Sequence, residues 1–199
     1  MNVLPLSVET LPLLEALFDD VGLGCFCRYW HFEGSKNDWL ARLAQSPGTN
    51  RDELRTHVSC GSDEGEALVA VADGRAVGFL KLARPRALQK LRRQGAYKLL
   101  DLGPEDDTYY VGCFLVHPAH RKKGVARELL AGAMPYARAR GALRLIAFPR
   151  RSSSALYDEE AWGGPEAIFS SVGFALMHDS PAYPVYVRSL VEVPPVATS

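Results

Sequence analysis

The chain has 199 residues, 47% hydrophobic and 23% charged, enough for one substantial core. Its 23 Lys and Arg balance 23 Asp and Glu, so no net charge points to a nucleic-acid or membrane partner. No apolar run approaches the roughly 20 residues of a bilayer-spanning helix. Residues 1–20 carry Glu9 and Glu15 and no basic leader, which predicts a cytoplasmic chain with Cys25, Cys27, Cys60 and Cys113 reduced.

In chain order, residues 2–8 alternate as a first strand, and 9–18 place Leu13, Leu14, Leu17 and Phe18 on a helical stripe. Ser35 is suited to cap a helix through Trp39, Leu40 and Leu43, and a short helix follows over 50–58. Apolar runs at 66–72 and 76–82 flank Asp73-Gly74, the mark of a hairpin. Residues 81–98 carry Lys81, Arg84, Arg86, Lys90, Arg92, Arg93 and Lys98 without an acid, then the sign reverses at Asp101, Glu105, Asp106 and Asp107. This reads as a solvated excursion between strands; without an aromatic-rich platform it ranks last as a nucleic-acid surface.

Residues 108–117 predict the strongest strand, 122–140 a helix kinked at Pro135, and 143–148 a second strand. A strand-helix-strand crossover requires parallel strands and hence a mixed α/β sheet. A polar insert at 150–164 precedes a short helix at 165–172, ended by Gly173, and closing strands at 174–177 and 183–187. One domain over 1–190 with a loose tail at 191–199 accounts for the whole.

The chemistry concentrates at residues 109–130, where the apolar strand runs into a basic turn that opens a helix. The first amides of a helix lack intrahelical partners and sit at the positive end of its dipole, so Arg121, Lys122, Lys123 and Gly124 suit a phosphate. Gly124 permits close backbone approach and Ala126 leaves the first turn open. The spacing is Arg-x-x-Gly-x-Ala, without the Lys-Ser pair of a P-loop.

On these residues the chain resembles the GNAT superfamily of N-acetyltransferases, strongly over 109–148 and moderately over 168–174, where Phe169 to Phe174 reads FSSVGF. The resemblance implies a mostly antiparallel mixed sheet of about seven strands, splayed at the cofactor site and flanked by helices. It implies acetyl-CoA as cosubstrate, its pyrophosphate held at Arg121, Gly124 and Ala126 with the intervening amides of Lys122, Lys123 and Val125. Its pantetheine would lie along Phe114, Leu115 and Val116. The segment CFCRYWH at 25–31 is similar to one subset of bacterial members.

The implied activity is acetyl transfer to a primary amine of a small molecule or protein by direct attack in a ternary complex. Two familiar side chains are absent. The family's glutamate six residues before Val116 is Tyr110 here, and its tyrosine four residues before the Gly of Gly-Phe is Phe169. Glu105, Asp106 or Asp107, relayed by Tyr110, are the alternatives for the base, with His117 beside the motif. Tyr157 or Cys113 are the alternatives for the acid. A Cys113 thiol beside a thioester could instead become acetylated, and a non-catalytic acyl-CoA sensor is the alternative from another class. Cys25-x-Cys27 with His31 falls short of the four ligands and wider spacing of a zinc site, so no metal is expected; the thiols pack near the acceptor with Tyr29, Trp30 and Trp39.

Overall fold

The computed structural model describes residues 1–46, 48–152 and 161–191. The first strand, β1 (Asn2–Pro5), is shorter than its alternation predicts because Ser7 starts a turn: its amide bonds Thr10 Oγ1 at 2.9 Å and its carbonyl accepts the Leu11 amide at 2.9 Å. That turn launches α1 (Leu11–Val21), which buries Leu14, Leu17 and Phe18 as the stripe demands. Ser35 and Asp38 form a reciprocal capping box that opens α2 (Lys36–Gln45), and α3 (Thr49–Ser59) follows.

Asp73 (φ +51°) and Gly74 (φ +74°) close the predicted hairpin between β2 (Ala67–Ala72) and β3 (Arg75–Ala83). The basic stretch departs from expectation. Lys81 lies inside β3 and is 2% exposed, and the segment carries a 3-10 turn (Pro85–Leu88) and one turn of helix, α4 (Gln89–Arg92). Arg84, Lys90 and Arg92 donate to the chain's own carbonyls at Asp106 and Arg140, at Phe32 and Gly34, and at Tyr97 and Leu100. These cations serve as braces.

The second half supplies β4 (Thr108–Val116), α5 (Val125–Arg138), β5 (Arg144–Ala147), α6 (Glu166–Ser171), β6 (Ala175–His178) and β7 (Val185–Ser189). Together they give an open seven-stranded sheet in the order β1-β2-β3-β4-β5-β7-β6. Only the β4–β5 pair is parallel among the described pairings, as the crossover through α5 requires. One face packs on α1 through Phe18, Phe79 and Tyr110; the other packs on α5 and α6 through Leu80, Leu129 and Phe169. Among the described residues no helix is long and apolar enough to cross a membrane.

Two irregularities in β4 shape its centre. Leu80 pairs with Phe114 but Leu82 with Val111, so Gly112 and Cys113 together oppose Lys81 in a bulge. In addition, β5 pairs with β4 only from Thr108 to Val111, so the strands part beyond that point.

Candidate functional site

The basic turn is built locally. Residues Pro118–His120 form a 3-10 turn at the end of β4, and His117 Nδ1 accepts the Ala119 amide at 3.2 Å, so that nitrogen serves the turn. Arg121 Nε donates to the Val116 carbonyl at 3.3 Å and ties the turn to the strand end. Lys122 (φ +58°) and Gly124 (φ +83°) adopt left-handed backbone, which for Lys122 costs about 1–2 kcal/mol and marks a conformation imposed by its surroundings.

Gly124 is the N-cap of α5 and brings no side-chain cap. The first helical bond runs from the Glu128 amide to the Gly124 carbonyl at 3.0 Å, so the amides of Val125, Ala126 and Arg127 precede the ladder. A β-carbon at position 124 would meet nothing within 4 Å, and Arg121, Lys122 and Lys123 stand exposed around the space. An open, donor-lined, cationic hollow of this kind fits a phosphate or diphosphate; the helix terminus contributes about 0.3–1 kcal/mol per charge, up to about 2 when partly buried.

Upstream of the hollow, residues 112–116 have no partner in β5. Phe114 and Val116 face the α5 side and Leu115 the α1 side, all half-buried, so this edge is open to backbone pairing with an extended ligand. The chain returns past this edge at residues 161–164: Trp162 packs on Trp30 with ring centres 4.6 Å apart, and a β-carbon at Gly164 would lie 3.0 Å from the Phe114 ring.

The bulge gathers a polar cluster that sequence reasoning missed. Gly112 leaves space for the Lys81 side chain, since a β-carbon there would sit 3.0 Å from Lys81 Cγ. Lys81 Nζ donates to the Glu64 and Glu66 carbonyls at 2.7 and 3.0 Å, and burial pulls its pKa down to about 8. Cys113 Sγ accepts the Trp30 Nε1 proton at 3.0 Å, and Cys113 packs against the core cluster that holds the buried Cys27. The neighbouring Cys27 thiol, with burial, raises the Cys113 pKa well above the usual thiol value. The available signals were a cation inside an apolar strand and a glycine inside another.

The remaining expected groups sit apart from this cluster. Tyr110 is 1% exposed and edge-on to Phe148 at 5.0 Å; its hydroxyl has no hydrogen-bond partner among the described residues, and burial pushes its pKa up to about 12. Asp107 precedes β4, six residues from Cys113, or about 20 Å along the strand at roughly 3.3 Å per residue. Its carbonyl accepts the Leu143 amide at 2.8 Å and so joins the starts of β4 and β5. Phe169 is fully buried among Phe114, Phe174 and Tyr186. Tyr157 lies outside the described residues. Among the described residues no group of three or more His, Cys, Asp or Glu is arranged to hold a metal; His31 faces Glu64 at 3.5 Å, and burial, with Lys81 and Arg28 nearby, pushes its pKa down to about 2.

Solved structures share this architecture at low identity. PaiA N-acetyltransferase from Thermoplasma acidophilum, in complex with coenzyme A, aligns at 13% identity over 95% of this chain and 99% of its own, with a TM-score of 0.52. Aminoglycoside 6'-N-acetyltransferase complexed with coenzyme A aligns at 13% identity over 98% and 99%, with a TM-score of 0.56. The structure of yncA from Salmonella typhimurium with its cofactor acetyl-CoA aligns at 16% identity over 99% and 98%, with a TM-score of 0.50. No curated protein matches the chain. The model of the acetyltransferase (GNAT) family matches residues 21–162, a span that contains the bulge, the parted strands and the basic turn, and the chain therefore belongs to that family.

Proposed function

We propose that the chain is an acetyl-CoA-dependent N-acetyltransferase acting on a primary amine of a small molecule or protein. The observation that carries this reading is continuity: the unpaired edge at 112–116 runs directly into the donor-lined hollow at Gly124, so one path suits a peptide-like arm ending in a diphosphate. In this reading the amides of residues 125–127, with Arg121, Lys122 and Lys123, hold the diphosphate. The backbone of Phe114, Leu115 and Val116 pairs with the pantetheine amides, and an amide near Leu115 or Val116 polarises the thioester carbonyl. The coenzymes named with the structural neighbours support the same ligand.

Direct attack forms the C–N bond as the C–S bond breaks and a thiolate departs. An alkyl ammonium has a pKa near 10.4, so presenting it neutral at pH 7 costs about 4.6 kcal/mol. Tyr110 and Cys113 both keep their protons at neutral pH, which suits a donor to the thiolate and not a base. Alignment and desolvation of the amine therefore carry the larger share. Purified protein, acetyl-CoA and a panel of amines should release free thiol in step with acetylated amine. Tight coenzyme A binding without thiol release across the panel would overturn the reading and leave a non-catalytic acyl-CoA sensor.

A further inference from the structure

The fork between the parted strands is closed at its base by the chain itself. β4 and β5 last pair at Val111 and Ala147, and just beyond that point residues 162–164 pass from one face of the sheet to the other. Trp162 packs on the α1-side cluster, whereas Gly164 lies against Phe114 and Ile168 on the α5 side. Two glycines permit the passage. A β-carbon at Gly163 would sit 2.5 Å from the Phe148 carbonyl oxygen, and Gly164 takes φ +79° with its β-carbon position 3.0 Å from the Phe114 ring. The passage therefore touches the continuation of β5 and the middle of β4 together.

An indole held in place closes the same point from the α1 side. Trp30, 4% exposed, stands in a 3-10 turn (Tyr29–His31) just after Phe26 (φ +44°) and Cys27 (φ +54°), consecutive non-glycine residues in left-handed backbone. Such a pair persists only where the surroundings impose it. Here Phe26 stacks on Phe18 with ring centres 4.6 Å apart, and the buried Arg28 bonds Glu53 at 3.2 Å and Glu64 at 2.6 Å. Trp30 is thereby fixed: its Nε1 donates to Cys113 Sγ at 3.0 Å, and its ring centre lies 4.6 Å from that of Trp162.

We propose that Trp30, Trp162 and the glycine passage form the end wall of the acyl site and restrict the transferred group to a short acyl chain such as acetyl. The inference rests on the acetyl-CoA reading, in which the thioester carbonyl lies beside Leu115 or Val116 and the coenzyme arm runs to the hollow at Gly124. The acyl chain then points the other way along β4. Phe114 and Cys113, which carry the wall, are one to three residues away, or about 3–10 Å at roughly 3.3 Å per residue. A methyl group fits that length. A longer straight chain has to displace part of the wall, and packed interiors resist such overfilling. Trp30 is bonded to the bulge and Gly163 abuts backbone, so the half-buried Trp162 is the side chain that sets the limit.

Calorimetric titration of the full-length chain with coenzyme A, acetyl-CoA and hexanoyl-CoA, without an amine, tests the wall apart from catalysis. The native chain should bind hexanoyl-CoA about tenfold or more weakly than acetyl-CoA. In Trp162→Ala the gap should narrow to about threefold or less, with free coenzyme A bound as in the native chain. Trp162→Phe should fall between the two and serves where the alanine variant fails to fold. Equal native affinities for hexanoyl-CoA and acetyl-CoA, with coenzyme A bound, would overturn the wall and leave the acetyl-CoA reading standing. An undiminished gap in a folded Trp162 variant would do the same. Failure of the native chain to bind free coenzyme A would overturn that reading and this inference with it.

Discussion

Gly78 in β3 lies under Val125, the first residue of α5: a β-carbon at position 78 would sit 2.5 Å from Val125 Cγ1 and 3.1 Å from Leu129 Cδ1. The sheet thus sets the height of the helix terminus that lines the anion hollow. Gly78→Ala should lift that terminus. Overpacking of this kind costs about 1–3 kcal/mol, at about 2–4 °C of melting temperature per kcal/mol for a chain this long, and coenzyme A affinity should fall as well. Gly132→Ala, whose β-carbon would lie 2.8 Å from Val3 Cγ1 in the middle of the same helix, should lower the melting temperature but spare affinity. Thermal denaturation and titration calorimetry separate the two effects; equal affinity losses in both variants would refute the argument from height.

Gly124 separates backbone strain from ligand exclusion. At φ +83° any β-carbon is disfavoured, yet space is open around it, so Gly124→Ala and Gly124→Glu should lose similar stability, about 1–2 kcal/mol. Only the glutamate brings a carboxylate to the place proposed for the diphosphate. Coenzyme A affinity, measured by calorimetry, should fall less than tenfold for alanine and at least a hundredfold, about 3 kcal/mol, for glutamate. Native affinity in Gly124→Glu would remove the hollow from the binding site.

The legible parts of this site are those written in short-range sequence. Asp73-Gly74 announces its hairpin, Ser35 its capping box, and the Gly124 helix start its strand-to-helix setting. The bulge was hidden because an apolar run looks the same with or without an extra residue; Gly112 was its one trace. Lys81 read as the first member of a basic run, although it lies inside an apolar strand whose inward face it shares with Phe79 and Ala83. The packing of Cys27 and Cys113 into one cluster depends on a strained turn docking on a distant strand, and no local periodicity encodes such an arrangement.

Lys81 gives stability a distinctive pH dependence. Burial lowers its pKa from an ordinary 10.5 to about 8. Below pH 8 folded and unfolded chains both hold the proton, and the folded state bears the full cost of burying the charge. Between about pH 8 and 10.5 the unfolded chain holds more protons, so this group's contribution to stability rises with pH, and it levels off above that window. The shift corresponds to about 3 kcal/mol. Urea unfolding of the native chain and of Lys81→Met across this window should show the native chain gaining on the variant by up to that amount. A constant difference would mean that Lys81 titrates normally.

Tyr110 tests whether transfer needs a proton donor on β4 or proceeds by alignment. Its hydroxyl is buried and unpartnered among the described residues, which is a cost to the fold that Tyr110→Phe removes. The variant should therefore gain about 1–2 kcal/mol of stability. Held near 12, the phenol keeps its proton throughout the neutral range and can act only as a donor. If alignment dominates, kcat at saturating acetyl-CoA falls tenfold or less in Tyr110→Phe and likewise in Cys113→Ala, with KM for the amine unchanged. A hundredfold loss of kcat in Tyr110→Phe, with KM intact and no loss of stability, would instead mean that the orphan hydroxyl finds its partner only when the thiolate forms. Its lack of a partner in the resting fold would then be the structural trace of catalysis.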